Sequence, residues 1–181
     1  MKNSTFEKDL YRWYGEKGES FKKRILRPLE IKYMYYFRNV QSTSNPISKI
    51  YYKLKLRNLS QKTNIQIPSS TKIGEGFYIG HTGRIIINPN TVIGKNINIA
   101  TGVTIGQENR GKREGCPAIG DNVWIGTNAV IVGNIKIGND VLIAPLSYVN
   151  FDVPDHSIVI GNPAKIISRE NATEGYINRT V

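Results

Sequence analysis

The sequence predicts a mainly β fold, a parallel β-helix of stacked three-sided coils, with an α-helical segment in front of it. Three observations carry this. Aliphatic residues fall on a six-residue lattice from Ile67 to Val149, and small residues stand directly after most of them. The first third of the chain has a different composition altogether. Residues 1–62 hold 15 Lys/Arg, 5 Asp/Glu and 11 of the 17 aromatic residues, but only Gly15 and Gly18 of the 17 glycines. Residues 63–181 hold 10 Lys/Arg and 9 Asp/Glu, so nearly all of the formal net charge of +11 lies in the first segment. The chain divides into a basic helical segment (1–62), a β-helix (63–169, with a loop inserted at 107–118) and a C-terminal tail (170–181).

In the first segment, Phe6, Leu10, Trp13 and Tyr14 have the spacing of one helix face. The stretch from Gly15 to Gly18 interrupts it. A second helix is expected near Ser20 and a third near Pro28, since proline suits a first helical turn. The stretch from Ser44 to Ser48 reads as a turn before a helix through Ile50-Tyr-Tyr-Lys-Leu-Lys-Leu. These aromatic faces can pack helix on helix, or dock on a membrane surface or a polyanion.

Hydrophobic residues at 39% and charged residues at 22% suit a globular chain. One cysteine, Cys116, excludes an internal disulfide framework and a Cys-rich zinc site. The first residues lack the apolar core of a signal peptide, and no apolar run is long enough to span a bilayer. A cytoplasmic protein is expected, with 1–62 able to touch the inner membrane face. Nucleic-acid binding has charge behind it but no motif, so no nucleic-acid partner is expected.

Within the β region, Ile67, Ile73, Ile79 and Ile85 are six apart. After a slip of two come Ile87, Ile93, Ile99 and Ile105, and after an insertion Ile119, Ile125, Ile131, Ile137, Ile143 and Val149. Helices repeat at three to four residues and half-buried strands at two. A period of six fits a short strand plus a sharp corner, with three such units, about 18 residues, closing one coil. Stacked coils bury the aliphatic column and pair each strand in parallel with the one above. Fourteen lattice positions imply between four and five coils.

This lattice, with Pro117-Ala-Ile-Gly-Asp-Asn-Val-Trp-Ile-Gly and the closing Val159-Ile-Gly-Asn-Pro-Ala-Lys-Ile-Ile, resembles the hexapeptide-repeat acyltransferases over about residues 63–169. The resemblance implies a left-handed parallel β-helix, a hand opposite to the usual crossover rule. With its helical N-terminus the chain looks closest to the serine acetyltransferase branch, especially relatives that decorate surface polysaccharides. The resemblance also implies a homotrimer with sites between neighbouring prisms, and acetyl-CoA as co-substrate.

Acetyl transfer to a hydroxyl needs a base, and histidine titrates nearest neutral pH. Of the two histidines, His156 reads as a solvated turn residue. His81, directly before the slip of two, matches the family's catalytic histidine. By the same resemblance Gly106, Gln107, Gly126, Thr127, Ala144, Pro145, Lys165 and Arg169 fall at CoA contacts. Gly126 and Ala144 are also small residues the lattice needs anyway. Trp124 reads as packing at a coil surface or a trimer contact rather than a cofactor stack. The inserted loop reads as a substrate-contacting loop, with Arg110, Lys112 and Arg113 free to meet an anion. Two histidines are too few for the three that a β-helix zinc site of the carbonic-anhydrase kind would need, so no metal is expected.

The chain departs from the serine enzymes at the positions that hold free serine. Their aspartate before the histidine is Gly80 here, an aspartate one coil earlier is Gln66, and the loop's Arg-His pair is Gly115 and Cys116. The expectation is therefore an O-acetyltransferase whose acceptor is a sugar hydroxyl of a capsular or other cell-surface polysaccharide. Gln66, Tyr78, Arg84, Asn88, Asn90, Arg110, Arg113 and Cys116 are its candidate acceptor contacts. The alternatives are a serine O-acetyltransferase, and a non-catalytic β-helix acting as scaffold or polyanion binder.

Overall fold

The computed structural model describes residues 4–17 and 27–181. Three helices precede the β region. They are α1 (Ser4–Tyr14), followed by a 3-10 turn at Gly15–Lys17, then α2 (Leu29–Ser42) and α3 (Pro46–Thr63). The helix expected near Ser20 lies outside the described residues. Asn45 caps α3 by accepting the Ser48 amide at 3.0 Å, and Pro46 occupies the first turn. Asn64, at φ 59°, turns the chain out of α3 into the first coil.

Fifteen short strands then form a three-faced prism. Face 1 stacks β1 (Ile65–Gln66), β4 (Ile85–Ile87), β7 (Thr104–Gly106), β10 (Val130–Val132) and β13 (Tyr148–Val149). Face 2 stacks β2 (Lys72–Ile73), β5 (Val92–Ile93), β8 (Ala118–Ile119) and β11 (Lys136–Ile137). Face 3 stacks β3 (Tyr78–Ile79), β6 (Asn98–Ile99), β9 (Val123–Ile125), β12 (Val141–Ile143) and β14 (Ser157–Gly161). All neighbours pair in parallel until β15 (Ala164–Ser168), which folds back antiparallel on β14 and ends the stack.

All fourteen lattice residues are buried. The register explains the two irregularities of the lattice. Ile119 pairs with Ile137, eighteen residues on, the ordinary coil. Ile79 pairs with Ile99, twenty on, because one corner of the second coil carries two extra residues. Ile99 pairs with Ile125, twenty-six on, because the inserted loop lies between them. A second inward column also exists, two residues before lattice positions, and it is not evident from the six-residue pattern alone. Phe77, Ile97, Val103, Val123, Ala129, Ile135 and Val141 fill it, with Thr71, Thr91 and Ser147, all at most 2% exposed.

The glycines after the lattice residues answer to backbone crowding. A Cβ on Gly74 would lie 2.5 Å from the Gly94 carbonyl oxygen, one on Gly94 2.5 Å from that of Gly120, and one on Gly120 2.8 Å from that of Gly138. Side chains cannot enter this column without moving whole coils apart.

The basic N-terminal segment has a role that composition did not reveal: it closes the open end of the solenoid. The first coil has no coil beneath it to take its carbonyls. Arg38 donates to the Ile73 and Gly74 carbonyls at 2.7 and 2.6 Å, and Arg12 to Gly76 O at 2.8 Å. Gln41 reaches Ser69 O and Thr71 O, and the Tyr33 hydroxyl lies 3.1 Å from both Ile67 N and Ile67 O. Arg38 is itself held by Asp9 at 2.8 Å, both side chains at most 3% exposed. Two cations of the basic segment are thus spent inside the subunit. No helix among the described residues is long and apolar enough to cross a membrane.

The tail returns along the prism toward its start. Asp140 accepts the amides of Ala172 and Thr173, Asn98 donates to Tyr176 O, and Arg179 donates to Trp13 O at 2.7 Å. Trp124 packs edge-on against Tyr176 at 4.9 Å, which accounts for its place in the repeat.

Candidate active site

His81 sits in the corner that carries the two extra residues, between β3 and β4. The corner is pinned at both ends: Gly80 N–H donates to Ile99 O, Gly83 N–H to Thr63 O and Ile85 N–H to Asn64 O. Gly83 adopts φ 142°, and a Cβ there would collide with the Thr101 hydroxyl, so the excursion depends on glycine at this point. His81 stands exposed at its tip, with no hydrogen bond to another described residue. Gln66, a candidate acceptor contact, lies on the outer surface of face 1 and does not bond to it.

The remaining sequence-derived residues separate onto two edges of face 1. Gly126, Thr127, Ala144 and Pro145 follow β9 and β12, on the same edge as His81. There the backbone is closely stacked: a Cβ on Gly126 would lie 2.6 Å from Pro145 N. Arg84 is exposed beside His81, while the Tyr78 ring is engaged by Trp13 at 4.5 Å. Burial pushes the Tyr78 hydroxyl pKa up.

Asn88, Asn90, Gly106 and Gln107 occupy the opposite edge, where face 1 turns into face 2. Asn88 donates to Gln107 Oε1 at 3.1 Å and its own Oδ1 accepts the Asn90 amide. Strand β4 lies between the two groups, a span of roughly 10 Å at 3.3 Å per residue. One prism cannot fold its own two edges together. Lys165 and Arg169 are farther off, in and just after β15, and exposed.

The inserted loop is tied down. Glu108 and Gly115 exchange both backbone hydrogen bonds, making a small antiparallel ladder, and Arg113 O accepts the Asn134 amide. Arg110, Lys112 and Arg113 remain exposed. Cys116, at the loop's return, is half-buried, and burial pushes its thiol pKa up. It therefore stays a neutral thiol near neutral pH.

His156 belongs elsewhere. Its Nδ1 lies 2.9 Å from Asp140 Oδ2 and 3.5 Å from Glu170 Oε2, on the corner that anchors the tail. The hydrogen bond with Asp140 raises its pKa, aided by the neighbouring carboxylates.

Sequence reasoning missed a cavity of about 580 Å³ between α3 and face 1. Its floor is apolar, from Leu56, Ile67, Ile86 and Ile105, and its polar lining comes from Lys53, Arg57, Ser60, Gln66, Ser69 and Asn88. The available signal was the basic face of α3, which the total charge had drawn toward partners in general. Among the described residues, no group of three or more His, Cys, Asp or Glu is placed to hold a metal.

A parallel β-helix of hexapeptide repeats with an exposed histidine at an enlarged corner defines the class. The family model "Bacterial transferase hexapeptide (six repeats)" matches residues 117–150. The chain is 40% identical over 115 residues to a serine acetyltransferase of Staphylococcus aureus, covering 62% of this chain and 53% of that protein. It superposes with TM-score 0.76 on the crystal structure of serine acetyltransferase from Brucella abortus, at 26% identity, covering 93% of this chain and 69% of that one. A solved serine acetyltransferase in complex with CoA superposes with TM-score 0.71 at 25% identity, covering 91% and 68%. The chain spans between about a third and about half the length of the curated relatives it matches.

These findings support the hexapeptide-repeat acyltransferase family and correct the expectation of the acceptor. The relatives and solved structures it resembles are serine acetyltransferases, so the reading as a polysaccharide O-acetyltransferase is withdrawn. That reading rested on four substituted positions, Gly80, Gln66, Gly115 and Cys116.

Proposed function

We propose that this protein is an acetyl-CoA-dependent O-acetyltransferase acting on serine, with His81 as general base. The observation that carries this reading is the 40% identity with a serine acetyltransferase across the β-helix. The exposed histidine at the enlarged corner supports the role of base. His81 takes the proton of the serine hydroxyl as its oxygen attacks the thioester carbonyl. The tetrahedral species collapses with loss of the CoA thiolate, which recovers the proton from the imidazolium, giving O-acetylserine and CoA. Gly126, Thr127, Ala144 and Pro145 line the edge beside His81 and serve the acyl donor, with Lys165 and Arg169 toward its phosphates.

The working unit is a homotrimer. Its support is the division of candidate residues between two edges of face 1. Packing three prisms side by side sets the Asn88–Gln107 edge of one copy against the His81 edge of the next, completing a site that one copy lacks.

Purified protein with L-serine and acetyl-CoA should yield O-acetylserine. The His81→Ala variant should lose about 10²–10⁴-fold in kcat, the usual contribution of a positioned base, while CoA binding by calorimetry survives. A fully active variant, or a wild-type protein inert toward serine, would sink the proposal.

A further inference from the structure

A serine acceptor brings a carboxylate, and the two positions that the resemblance assigns to its contacts in the inserted loop are Gly115 and Cys116 here. Neither residue supplies a positive charge. The carboxylate must be met from another element. The cavity between α3 and face 1 offers one: Lys53 and Arg57 stand on its wall, one helical turn apart, and no acidic residue lines it. Neither cation forms an ion pair among the described residues, in contrast to Arg38, which is locked to Asp9. Both are solvent-accessible, so an anion can reach them.

Place in the fold narrows what that anion is. The cavity's lining includes Pro68, Ser69, Asn88 and Pro89, on the edge where face 1 turns into face 2, in the first two coils. His81 lies on the opposite edge of face 1, at the junction of those same two coils. In a side-by-side trimer the two edges meet at equal height. We propose that Lys53 and Arg57 of α3 form the carboxylate clamp for the acceptor and present it to the His81 of a neighbouring copy. The inference rests on serine being the acceptor. Arg57 suits the planar, two-pronged contact that a carboxylate favours, and Lys53 adds a point charge beside it. Helix α3, which leads into the first coil, thereby also sets acceptor choice.

The test compares L-serine with serinamide, which keeps the hydroxyl and ammonium but lacks the negative charge. Arg57→Gln and Lys53→Gln should each raise the KM for serine about 10- to 100-fold, as expected for loss of a charge-assisted hydrogen bond. The kcat, the KM for acetyl-CoA and the turnover of serinamide should hold, and Arg57→Lys should recover part of the loss. An unchanged KM for serine, or equal losses with serine and serinamide, overturns the clamp while leaving the serine reading intact. A wild-type protein that acetylates no serine overturns both. Co-expressing His81→Ala with Arg57→Gln subunits tests the shared site. Mixed trimers contain junctions with both residues intact, and should regain turnover at the wild-type KM. No recovery overturns the assignment to a neighbouring copy.

Discussion

Replacing Arg38 with methionine should destabilise the protein by about 3–5 kcal/mol, the usual cost of removing one partner of a buried ion pair. Methionine keeps most of the apolar stem, so the loss falls on polar groups. Left behind are the Ile73 and Gly74 carbonyls and the Asp9 carboxylate, 2% exposed, whose remaining donors include the Phe77 amide at 2.9 Å. Burial already pushes the Asp9 carboxyl up more than Arg38 pulls it down. Losing Arg38 removes the charge that offsets this desolvation and leaves the unfavourable part. A chain of this length shifts by about 2–4 °C per kcal/mol, so calorimetry should show a Tm lowered by about 6–20 °C. The double variant Asp9→Asn with Arg38→Met should be more stable than Arg38→Met alone, because no stranded charge remains. A single variant within about 1 kcal/mol of wild type, or a double variant losing the sum of the two singles, would refute the account of the cap.

Gly94→Ala should cost about 1–3 kcal/mol in urea unfolding, since its Cβ would press on the Gly120 backbone at 2.5 Å. Gly106→Ala, whose Cβ would meet only Val132 at 3.6 Å, should stay within about 0.5 kcal/mol, and equal losses would refute the crowding argument. His156→Gln should show a pH-dependent defect. The raised pKa of His156 means its contribution is complete below the unfolded value of 6.5 and lost as pH rises through the higher folded value. Asp140 is partly desolvated, which alone would raise its pKa, but hydrogen bonds from Thr173, His156 and Ala172 hold it below the usual value. Its contribution is present above the unfolded carboxylate value and fades as pH falls through the folded one. The Tm difference between wild type and His156→Gln should thus peak near about pH 5–6 and close in alkaline buffer. A difference constant with pH would refute the ionic role.

The β-helix was legible because its cause is local and repeated. Each lattice isoleucine must face inward once per strand, so the period of the coil is written along the chain. The second inward column was harder to see: Thr71, Ala129 and Ser147 occupy it beside Phe77 and Ile97, and a mixed set carries no hydrophobic period. Helix α1 was legible from Phe6, Leu10, Trp13 and Tyr14, yet nothing in that spacing marked Asp9 and Arg12 on the same helix as buried. Only partners 29 or more residues away, Arg38, Gly76 and Asn98 among them, make their burial tolerable. The four substituted site positions were legible too, but a lost contact does not name what replaces it.

By itself the sequence determined the class of fold, the enlarged corner at His81 and the inserted loop, since each is an irregularity against a strict local period. Tertiary structure decided the rest. It set the basic segment as the lid of an open solenoid, divided the candidate residues between two edges of one face, and opened a cation-lined cavity beneath α3. The physical reason is that backbone satisfaction, charge burial and cavity shape depend on groups far apart in the chain. No periodicity records which of them meet.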